Sequence, residues 1–261
     1  ILLQLIATGK PLSTAGMMIE DRTRTFIIAM ERTVVPENFS FRMTDEEYRV
    51  LEKIKNSIPV CYLADHADFA LGIVTGNNKK FLSAEKTEHS EMVLKGTDIC
   101  KYHINPVKQY LRFEPEQFQQ VAPLEIYRAP EKLLYRFISN QLVVAYDDRQ
   151  MLSLNSCNIV IPKIEGMQIK YILAILNSSV SQFVYQKEFH SIKVLRAHME
   201  HIPIPRVGKA IQNEIIAMTE PLICGMGKEA AETCQKRLDC RIMDLFRLSA
   251  EEQWIIRHAL H

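Results

Sequence analysis

The 261-residue sequence contains no long hydrophobic run and no closely spaced cysteine pair. Its longest apolar runs, such as residues 26–30 and 171–176, are far shorter than the roughly 18 residues that span a bilayer, so we expect no transmembrane helix and no membrane partner. The absence of a C-x-x-C pair excludes a zinc ribbon and a redox dithiol. Since no secretory signal is visible, we expect a cytoplasmic location and reduced thiols for Cys61, Cys100, Cys157, Cys224, Cys234 and Cys240.

Glycine and net charge are also low. Only nine glycines are present, and they form neither a G-x-G-x-x-G motif nor a Walker loop, which excludes nucleotide binding by those routes. The net charge is +1, so the chain as a whole does not indicate nucleic acid as a partner. Residues 71–206, however, carry 17 basic and 13 acidic side chains, a modest excess that is compatible with a basic face.

The remaining composition is that of an ordinary globular protein, with 47% hydrophobic and 24% charged residues. This mixture excludes a disordered, collagen-like or coiled-coil chain. The sequence begins at Ile1, without a methionine and inside an apolar stretch, so we expect it to be part of a longer polypeptide.

No catalytic or metal-binding motif stands out. His198 and His201 are three residues apart, but a third ligand is not evident, and we interpret them as part of a basic surface. Cys61 with Asp65 and His66 could supply a thiol and a base, yet its apolar strand makes core packing the better interpretation. No G-x-S-x-G elbow occurs. The sequence therefore predicts no catalytic residue, no metal and no cofactor in this chain.

Two capping boxes mark helix starts near the ends of the chain. Thr44 and Glu47 precede apolar side chains at helical spacing, which predicts a helix over residues 44–55. Ser249 and Glu252 predict the start of the last helix in the same way.

Between these helices, hydrophobic patterns predict both strands and further helices. Residues 60–63 are typical of a short strand, and residues 142–146 and 157–161 of a hairpin or two neighbouring strands. Residues 167–183 predict one helix with an apolar face, and residues 209–260 are mostly helical.

These elements predict an α+β fold, in which a mixed β-sheet module lies between a helical N-terminal flank and a C-terminal helical hairpin. We place the partly helical flank at residues 1–70, the module at residues 71–206 and the helical segment at residues 207–261. Breaks in the last segment are expected near Pro221 and around residues 225–227.

One stretch, LGIVTGNNKK at residues 71–80, changes from apolar to polar within a single turn. Asn77 and Asn78 carry the donor and acceptor pair that can read an adenine edge, and amides in a turn can bind phosphate. Lys79 and Lys80 add two cations. Taken alone, a surface hairpin turn is the commoner interpretation of such a stretch.

The turn is the first of six pieces that resemble, in order, the C-terminal target-recognition domain of TaqI-like adenine-specific DNA methyltransferases and their restriction-modification relatives. The pieces are GIVTGNNKKF (72–81), VLKGTDICKY (93–102), APLEIYRAPEKLLYRF (122–137), LVVAYDDRQMLSLNSCNIVIP (142–162), YILAILNSSVSQFVY (171–185) and HIPIPR (201–206). The tail RIMDLFRLSAEEQWII (241–256) is similar to the helical ending of that family. The resemblance covers roughly residues 60–256.

The resemblance implies sequence-specific recognition of double-stranded DNA, with residues 71–206 as the target-recognition domain. It also implies a bacterial restriction-modification protein that methylates adenine N6 and could be fused to an endonuclease. An N-P-P-Y motif and the glycine motif for S-adenosylmethionine do not occur in this sequence. The resemblance therefore places catalysis and S-adenosylmethionine in the parent enzyme, on a methyltransferase domain or subunit upstream.

A recognition domain needs hydrogen-bonding groups for base edges and cations for phosphates. Around the glycine turns, the candidates for these roles are Thr75, Asn77, Asn78, Lys79, Lys80, Lys95 and Thr97. Further along the chain, they are Arg128, Lys132, Tyr146, Asn155, Ser156, His190, Lys193 and Arg196.

These candidates differ in what else they could do. Asn155 and Ser156 suit DNA contact and strand-end hydrogen bonding equally, and the three basic residues from His190 onward could form only a solvated basic face. Asn177 and Ser178, which interrupt an apolar helix, are expected to cap or bond within the fold.

A second hypothesis treats the chain as a protein-interaction scaffold. Helices over residues 209–248 could pair antiparallel and dock a methyltransferase or nuclease subunit through a hydrophobic stripe formed by Leu238, Ile242, Leu245 and Phe246. Packing of this stripe on the recognition module itself is the simpler interpretation. An independent enzyme is the weakest alternative.

Overall fold

The computed structural model describes residues 2–6, 16–20, 25–29, 43–189 and 191–260. Its strands are β1 (Leu2–Ile6), β2 (Gly16–Glu20), β3 (Thr25–Ala29), β4 (Val60–Cys61), β5 (Ala67–Ala70), β6 (Leu82–Ser83), β7 (Ser90–Leu94), β8 (Tyr110–Arg112), β9 (Lys132–Arg136), β10 (Val144–Asp147), β11 (Leu152–Ser153), β12 (Cys157–Pro162) and β13 (Ile204–Pro205).

The helices alternate with these strands in the middle of the chain and follow one another near its end. They are α1 (Asp45–Asn56), α2 (Asn78–Phe81), α3 (Leu124–Tyr127), α4 (Ile169–Asn177), α5 (Ser179–Glu188), α6 (Arg196–Glu200), α7 (Lys209–Cys224), α8 (Lys228–Leu245) and α9 (Ala250–Ala259). Two 3₁₀ turns cover Gly96–Asp98 and Pro115–Gln117. The predicted α+β fold is confirmed.

The N-terminal flank contains a sheet as well as a helix. Strands β1, β2 and β3 form an antiparallel meander, and Ile28 of β3 is fully buried. Helix α1 begins at the predicted capping box, in which Thr44 Oγ1 accepts from the Glu47 N–H at 3.1 Å and Glu47 Oε2 accepts from the Thr44 N–H at 2.9 Å. The helix at residues 44–55 is thus confirmed, whereas the meander was not predicted.

A four-stranded antiparallel sheet in the order β10-β9-β12-β5 lies between two hydrophobic cores. Side chains alternate along β9, because successive residues of a strand point to opposite faces. Leu133 and Tyr135 belong to the core on the side of the long helices, which we call the helical core. Leu134 belongs to the other core, which includes Val93, Leu111 and Leu152 and which we call the loop-side core.

The two strands predicted at residues 142–146 and 157–161 are real, but they are not neighbours. Strand β9 lies between them and pairs antiparallel with both β10 and β12. A sequence of two apolar runs separated by turn residues could not show that an earlier strand would insert between them, because strand pairing depends on contacts over the whole chain.

The loop-side core is covered by a second four-stranded sheet in the order β11-β7-β8-β6. Strands β7 and β8 are antiparallel, and β11 joins β7 in parallel, so Leu152 lies opposite Val93. All four strands are short, between two and five residues.

The single helix predicted for residues 167–183 is two helices, α4 and α5, with a break at Ser178. Ser178 has an extended backbone, and its Oγ accepts from the Ser181 N–H at 3.2 Å, so it caps α5. Asn177 bonds both main-chain groups of Val144, with Nδ2 donating to the carbonyl at 2.8 Å and Oδ1 accepting from the N–H at 3.1 Å. The expectation that this pair bonds within the fold is confirmed.

The C-terminal helices complete the helical core. Residues 225–227 join α7 to α8, which pack against each other, and Gly225 has a positive φ of 79° at the end of α7. Pro221 lies inside α7 and does not break it, which corrects the predicted interruption there. No helix among the described segments is long and apolar enough to cross a membrane.

The hydrophobic stripe of the scaffold hypothesis packs inside this molecule. Leu238, Ile242 and Phe246 have no exposed surface and belong to the helical core, together with residues of α1 and α4. The stripe is therefore not available to dock another subunit, and the simpler interpretation of it is correct.

Candidate nucleic-acid interface

The first candidate loop, residues 72–80, is attached to two other segments by main-chain hydrogen bonds. The Ile73 N–H donates to the Ser153 carbonyl at 2.7 Å, and the Asn155 N–H donates to the Ile73 carbonyl at 3.1 Å. Val74 and Gln120 exchange two further bonds at 2.8 and 3.0 Å. The polar turn therefore extends from a base that is fixed on both sides.

The turn itself is ordered by its own side chains. Gly76 has a positive φ of 73°, a conformation that glycine adopts without steric cost. Thr75 Oγ1 donates to Asn78 Oδ1 at 2.6 Å, and Asn77 Oδ1 accepts from the Lys80 N–H at 3.2 Å. These contacts occupy the two amide oxygens and leave the Nδ2 donors of both asparagines without a partner among the described residues.

The two lysines that follow are both exposed but differ in their contacts. Lys80 Nζ donates to Gln117 Oε1 at 2.6 Å and lies 4.8 Å from the Phe81 ring centroid. Lys79 has no ion pair or hydrogen bond of its side chain with any described residue, so its ammonium group is available to a phosphate.

The second loop, residues 95–98, meets the third, residues 153–156, at Gly96. The Gly96 N–H donates to Ser156 Oγ at 3.0 Å, and a Cβ atom at Gly96 would lie only 2.5 Å from the Ser156 carbonyl oxygen. Likewise, a Cβ atom at Gly72 would lie 2.1 Å from the Leu154 oxygen. These two glycines are required for close packing of the loops on one another.

Arg136, which was not among the predicted site residues, completes this junction. Arg136, at the end of β9, donates from Nε to the Gly96 carbonyl at 2.8 Å and from Nη2 to the Ile99 carbonyl at 2.6 Å. Its position at the end of an apolar strand was the only available signal, because the partners are main-chain groups about 40 residues away.

Bonds at Ile73 and Gly96 join the three loops to one another. We call residues 75–80, 95–98 and 155–156 the loop surface. It brings together eight of the predicted site residues at or near solvent. Those that are exposed are Asn77, Asn78, Lys79, Lys80, Thr97 and Asn155, and those that are half-buried are Lys95 and Ser156.

Three predicted contact residues are instead buried, which corrects their assignment. Lys132 has no exposed surface; its Nζ donates to Tyr127 O at 2.6 Å and to Asp147 Oδ2 at 2.5 Å. Burial lowers the pKa of this lysine, and the Asp147 carboxylate acts in the opposite direction. Thr75, 4% exposed, orders the turn, and Tyr146, 7% exposed, donates its hydroxyl to Glu131. Lys132 and Tyr146 lie in strands and Thr75 lies in the turn, and the sequence did not show that all three are enclosed.

The remaining basic candidates do not all lie on the loop surface. Arg128 donates to the Gln150 carbonyl at 2.8 Å and to Glu91 Oε2 at 2.6 Å, so its guanidinium joins parts of the domain to each other. Arg196 lies 5.2 Å from the Phe69 ring centroid at the edge strand β5 and pairs with Glu200 at 2.7 Å.

Lys193 lies next to the loop surface. The Phe137 N–H donates to the Ser156 carbonyl at 3.0 Å, and the Val194 N–H donates to the Phe137 carbonyl at 2.8 Å. Lys193 itself is exposed, with Nζ 5.9 Å from the Phe137 ring centroid. His190 lies outside the described residues.

The class of domain is one for DNA sequence recognition in restriction-modification systems. This class is defined by a family match, in which residues 91–204 correspond to the TaqI-like C-terminal specificity domain. This match covers 114 of the 261 residues.

Solved structures give more distant likenesses. A chain of a type I restriction-modification system is 13% identical, with a TM-score of 0.45, over 83% of this chain and 52% of that one. The HsdS subunit from Thermoanaerobacter tengcongensis is 14% identical, with a TM-score of 0.41, over 83% and 50%. The type IIG restriction endonuclease BpuSI is 12% identical, with a TM-score of 0.47, over 91% and 35%.

This chain therefore spans about half the length of the first two of these structures. No curated protein matches the sequence. The family match begins at residue 91, so the second and third loops lie within it and the first loop lies upstream.

Proposed function

We propose that this chain reads duplex DNA through the loop surface, as the specificity domain of a protein that methylates adenine N6. The observation that supports this most strongly is the junction of three separate loops. Main-chain bonds join them at Ile73 and Leu154, and the Gly96 N–H donates to Ser156 Oγ. A base-reading surface must hold its donors in a fixed register, and such bonds do so without using the exposed side chains.

Two kinds of contact follow from the chemistry of this surface. Lys79, Lys95 and Lys193 neutralise phosphates, which gives affinity and a strong dependence on salt. The free Nδ2 groups of Asn77 and Asn78 and the exposed amide of Asn155 donate to acceptors on base edges in the major groove, which gives specificity.

The parent protein supplies the chemistry. In this proposal an adenine leaves the helix and enters a methyltransferase domain or subunit upstream while the loop surface holds the register. S-adenosylmethionine belongs to that part, and an endonuclease activity of the parent is compatible with the same arrangement. The loop surface is a poor fit for the cofactor, because its lysines repel a sulfonium cation, and we derive no step through it for this chain.

The setting we propose is the cytoplasm of a bacterium. All six cysteines of the chain are free, which supports a reducing compartment.

Selection of bound duplexes from a random pool tests the proposal, using the whole 261-residue chain. We expect one short motif to be enriched and the binding constant to fall steeply with salt. Lys79→Gln should weaken all duplexes alike and reduce the slope of log K against log salt by about 1. Asn78→Ala should relax the motif at one position, with a loss of about 1–3 kcal/mol there.

A lysine on the helical side provides the control. Lys209 is exposed at the start of α7, and Lys209→Gln makes the same charge change away from the loops. Equal effects of the two glutamine variants, or a chain that enriches no motif from the pool, would contradict the proposed surface.

A further inference from the structure

A short two-stranded ribbon adjoins the third loop. Two main-chain hydrogen bonds, of 2.8 and 3.0 Å, join residues 137–139 to residues 192–194 in the antiparallel direction. We call these two segments together the isoleucine ribbon. Within it Ile138 lies directly opposite Lys193. This pairing determines which side chains of the ribbon share a face.

The two faces of the ribbon have different surroundings. Directly opposite residues of antiparallel strands share a face, and successive residues of one strand point to opposite faces. Val194 is 1% exposed and belongs to the helical core, so the face that it shares with Ile192 is directed toward the body of the protein. Ile138 and Lys193 share the other face, which we call the outer face. Ile138 is 61% exposed there, and Lys193 is exposed as well.

The ribbon is bonded at its base to the second and third loops. The Phe137 N–H donates to the Ser156 carbonyl at 3.0 Å, and the preceding Arg136 donates to the Gly96 carbonyl at 2.8 Å. Ile138 thus follows directly after a segment that is fixed to both loops. The outer face consequently has a set position relative to the loops that we propose contact DNA.

Charge favours DNA over a protein as the partner of the outer face. Residues 137–141 and 191–197 contain no acidic side chain and include two basic ones. Glu188 and Glu200, the acidic residues that flank the second of these segments, each form an ion pair. An exposed aliphatic side chain beside a lysine therefore suits a polyanion that also carries an apolar group.

The major groove of DNA offers such an apolar group. It is the C5-methyl group of thymine, and the groove, about 12 Å wide, admits a two-stranded ribbon. A site at which adenine N6 is methylated contains at least one A·T pair and therefore a thymine. Contact between this methyl group and an aliphatic side chain removes apolar surface of both partners from water, which is favourable.

We propose that the outer face of the isoleucine ribbon enters the major groove, where Ile138 contacts the methyl group of a thymine and Lys193 contacts a phosphate. Ile138 is then a specificity-determining residue that selects thymine by apolar contact. The amide and lysine side chains of the loop surface cannot make this contact. The inference rests on the proposed reading of duplex DNA and adds one base contact to it.

Replacement of thymine by deoxyuridine tests the contact, because deoxyuridine pairs as thymine does but lacks the methyl group. The whole 261-residue chain is titrated with duplexes of its enriched motif in which each thymine is replaced in turn. At one position we expect affinity to fall roughly three- to fivefold, the effect of one buried methyl group. Ile138→Ala should bind the thymine duplex more weakly, and deoxyuridine at that position should then have no further effect.

Ile192→Ala is the matched control, because it removes the same atoms from the other face of the same ribbon. Ile192 is 72% exposed, so both alanine variants should keep the stability of the parent protein in thermal unfolding. Both should also keep the salt dependence of DNA binding, since no charge is removed. Ile192→Ala should still discriminate thymine from deoxyuridine.

The outcomes separate this inference from the proposed function. An enriched motif that tolerates deoxyuridine at every position would overturn the thymine contact, leave the outer face to a protein partner and keep the proposed function. Discrimination that persists in Ile138→Ala, or that is lost equally in Ile192→Ala, would also overturn it. A chain that enriches no motif would refute the proposed function and this inference with it.

Discussion

The helical core and the loop-side core lie on opposite faces of one sheet, yet different interactions hold them together. In the helical core, helices bury continuous apolar faces, as α1 and α4 do, and α1, α5 and α9 begin at side-chain caps. In the loop-side core, strands of two to five residues are joined by main-chain bonds between distant segments and by close contacts at Gly72 and Gly96.

This difference predicts how strongly a single substitution affects the stability of each core. In a helical face many side chains contribute buried apolar surface. The removal of one cap or contact therefore removes only part of the stabilisation. A junction of loops depends on a few atoms, so a single added methyl group or an unpaired charge affects the whole arrangement. We therefore expect larger single-site effects on the loop side than on the helical side.

The largest effect is expected for Lys132→Met, because it leaves the buried Asp147 carboxylate without its cation. Breaking a buried pair in this way costs about 3–5 kcal/mol. The measurement is the free energy of unfolding in urea, with the exposed Lys79→Met as control, for which we expect a change within about 0.5 kcal/mol. If both variants were equally stable, the buried pair would not hold the loop side.

Next in size is Gly72→Ala, whose Cβ would lie 2.1 Å from the Leu154 oxygen. The segment at residues 152–155 must then shift, at a cost of about 1–3 kcal/mol. DNA binding should fall with stability, since the first and third loops separate. Gly208→Ala is the control, because no atom lies within 4 Å of its Cβ position. A neutral Gly72→Ala would remove the argument for tight loop packing.

On the helical side, Ser178→Ala removes the cap of α5 and should cost about 1 kcal/mol. DNA binding should persist, because the helix lies on the opposite face of the sheet from the loop-side core. Ser249→Ala, at the exposed cap of α9, should cost no more than Ser178→Ala. Unfolding in urea and a DNA titration give the two readings. Loss of DNA binding without loss of stability would contradict the separation of the two faces.

The smallest effect concerns pH. Burial lowers the pKa of His198 below its ordinary value of 6.5, and His201 adds to this, against a hydrogen bond that the ring donates to the main chain of Lys193. The unfolded chain therefore binds more protons in this range, so stability should rise with pH up to about the ordinary value and fall toward acid. His198→Asn should flatten this slope between pH 5 and 7 in thermal unfolding, and an unchanged slope would show that His198 is not its source.

Prediction from the sequence succeeded where the signal was local. The caps at Thr44 and Ser249 lie within three residues of their partners, so both helix starts were correct. The strands β10 and β12 were recognised, but their neighbour β9 was not, because pairing joins segments far apart in the chain.

For the candidate site, the sequence predicted which types of residue occur in the loops but did not predict which of the candidates are buried. Asn77, Asn78 and Lys79 are exposed in the turn where they were expected. Lys132 resembled them in sequence but lies in β9, where the sheet encloses it. Arg136 was overlooked, because its partners are main-chain carbonyls that no local pattern reveals.

The sequence by itself determined the secondary structure elements with local caps, the class of domain and the chemistry of the first turn, because each of these depends on neighbouring residues or on an ordered set of motifs. Only the tertiary structure decided which cations face water, which loops meet and how the two cores divide. Those outcomes depend on burial and on contacts between segments tens of residues apart. No single segment of the sequence determines the free energy of such contacts.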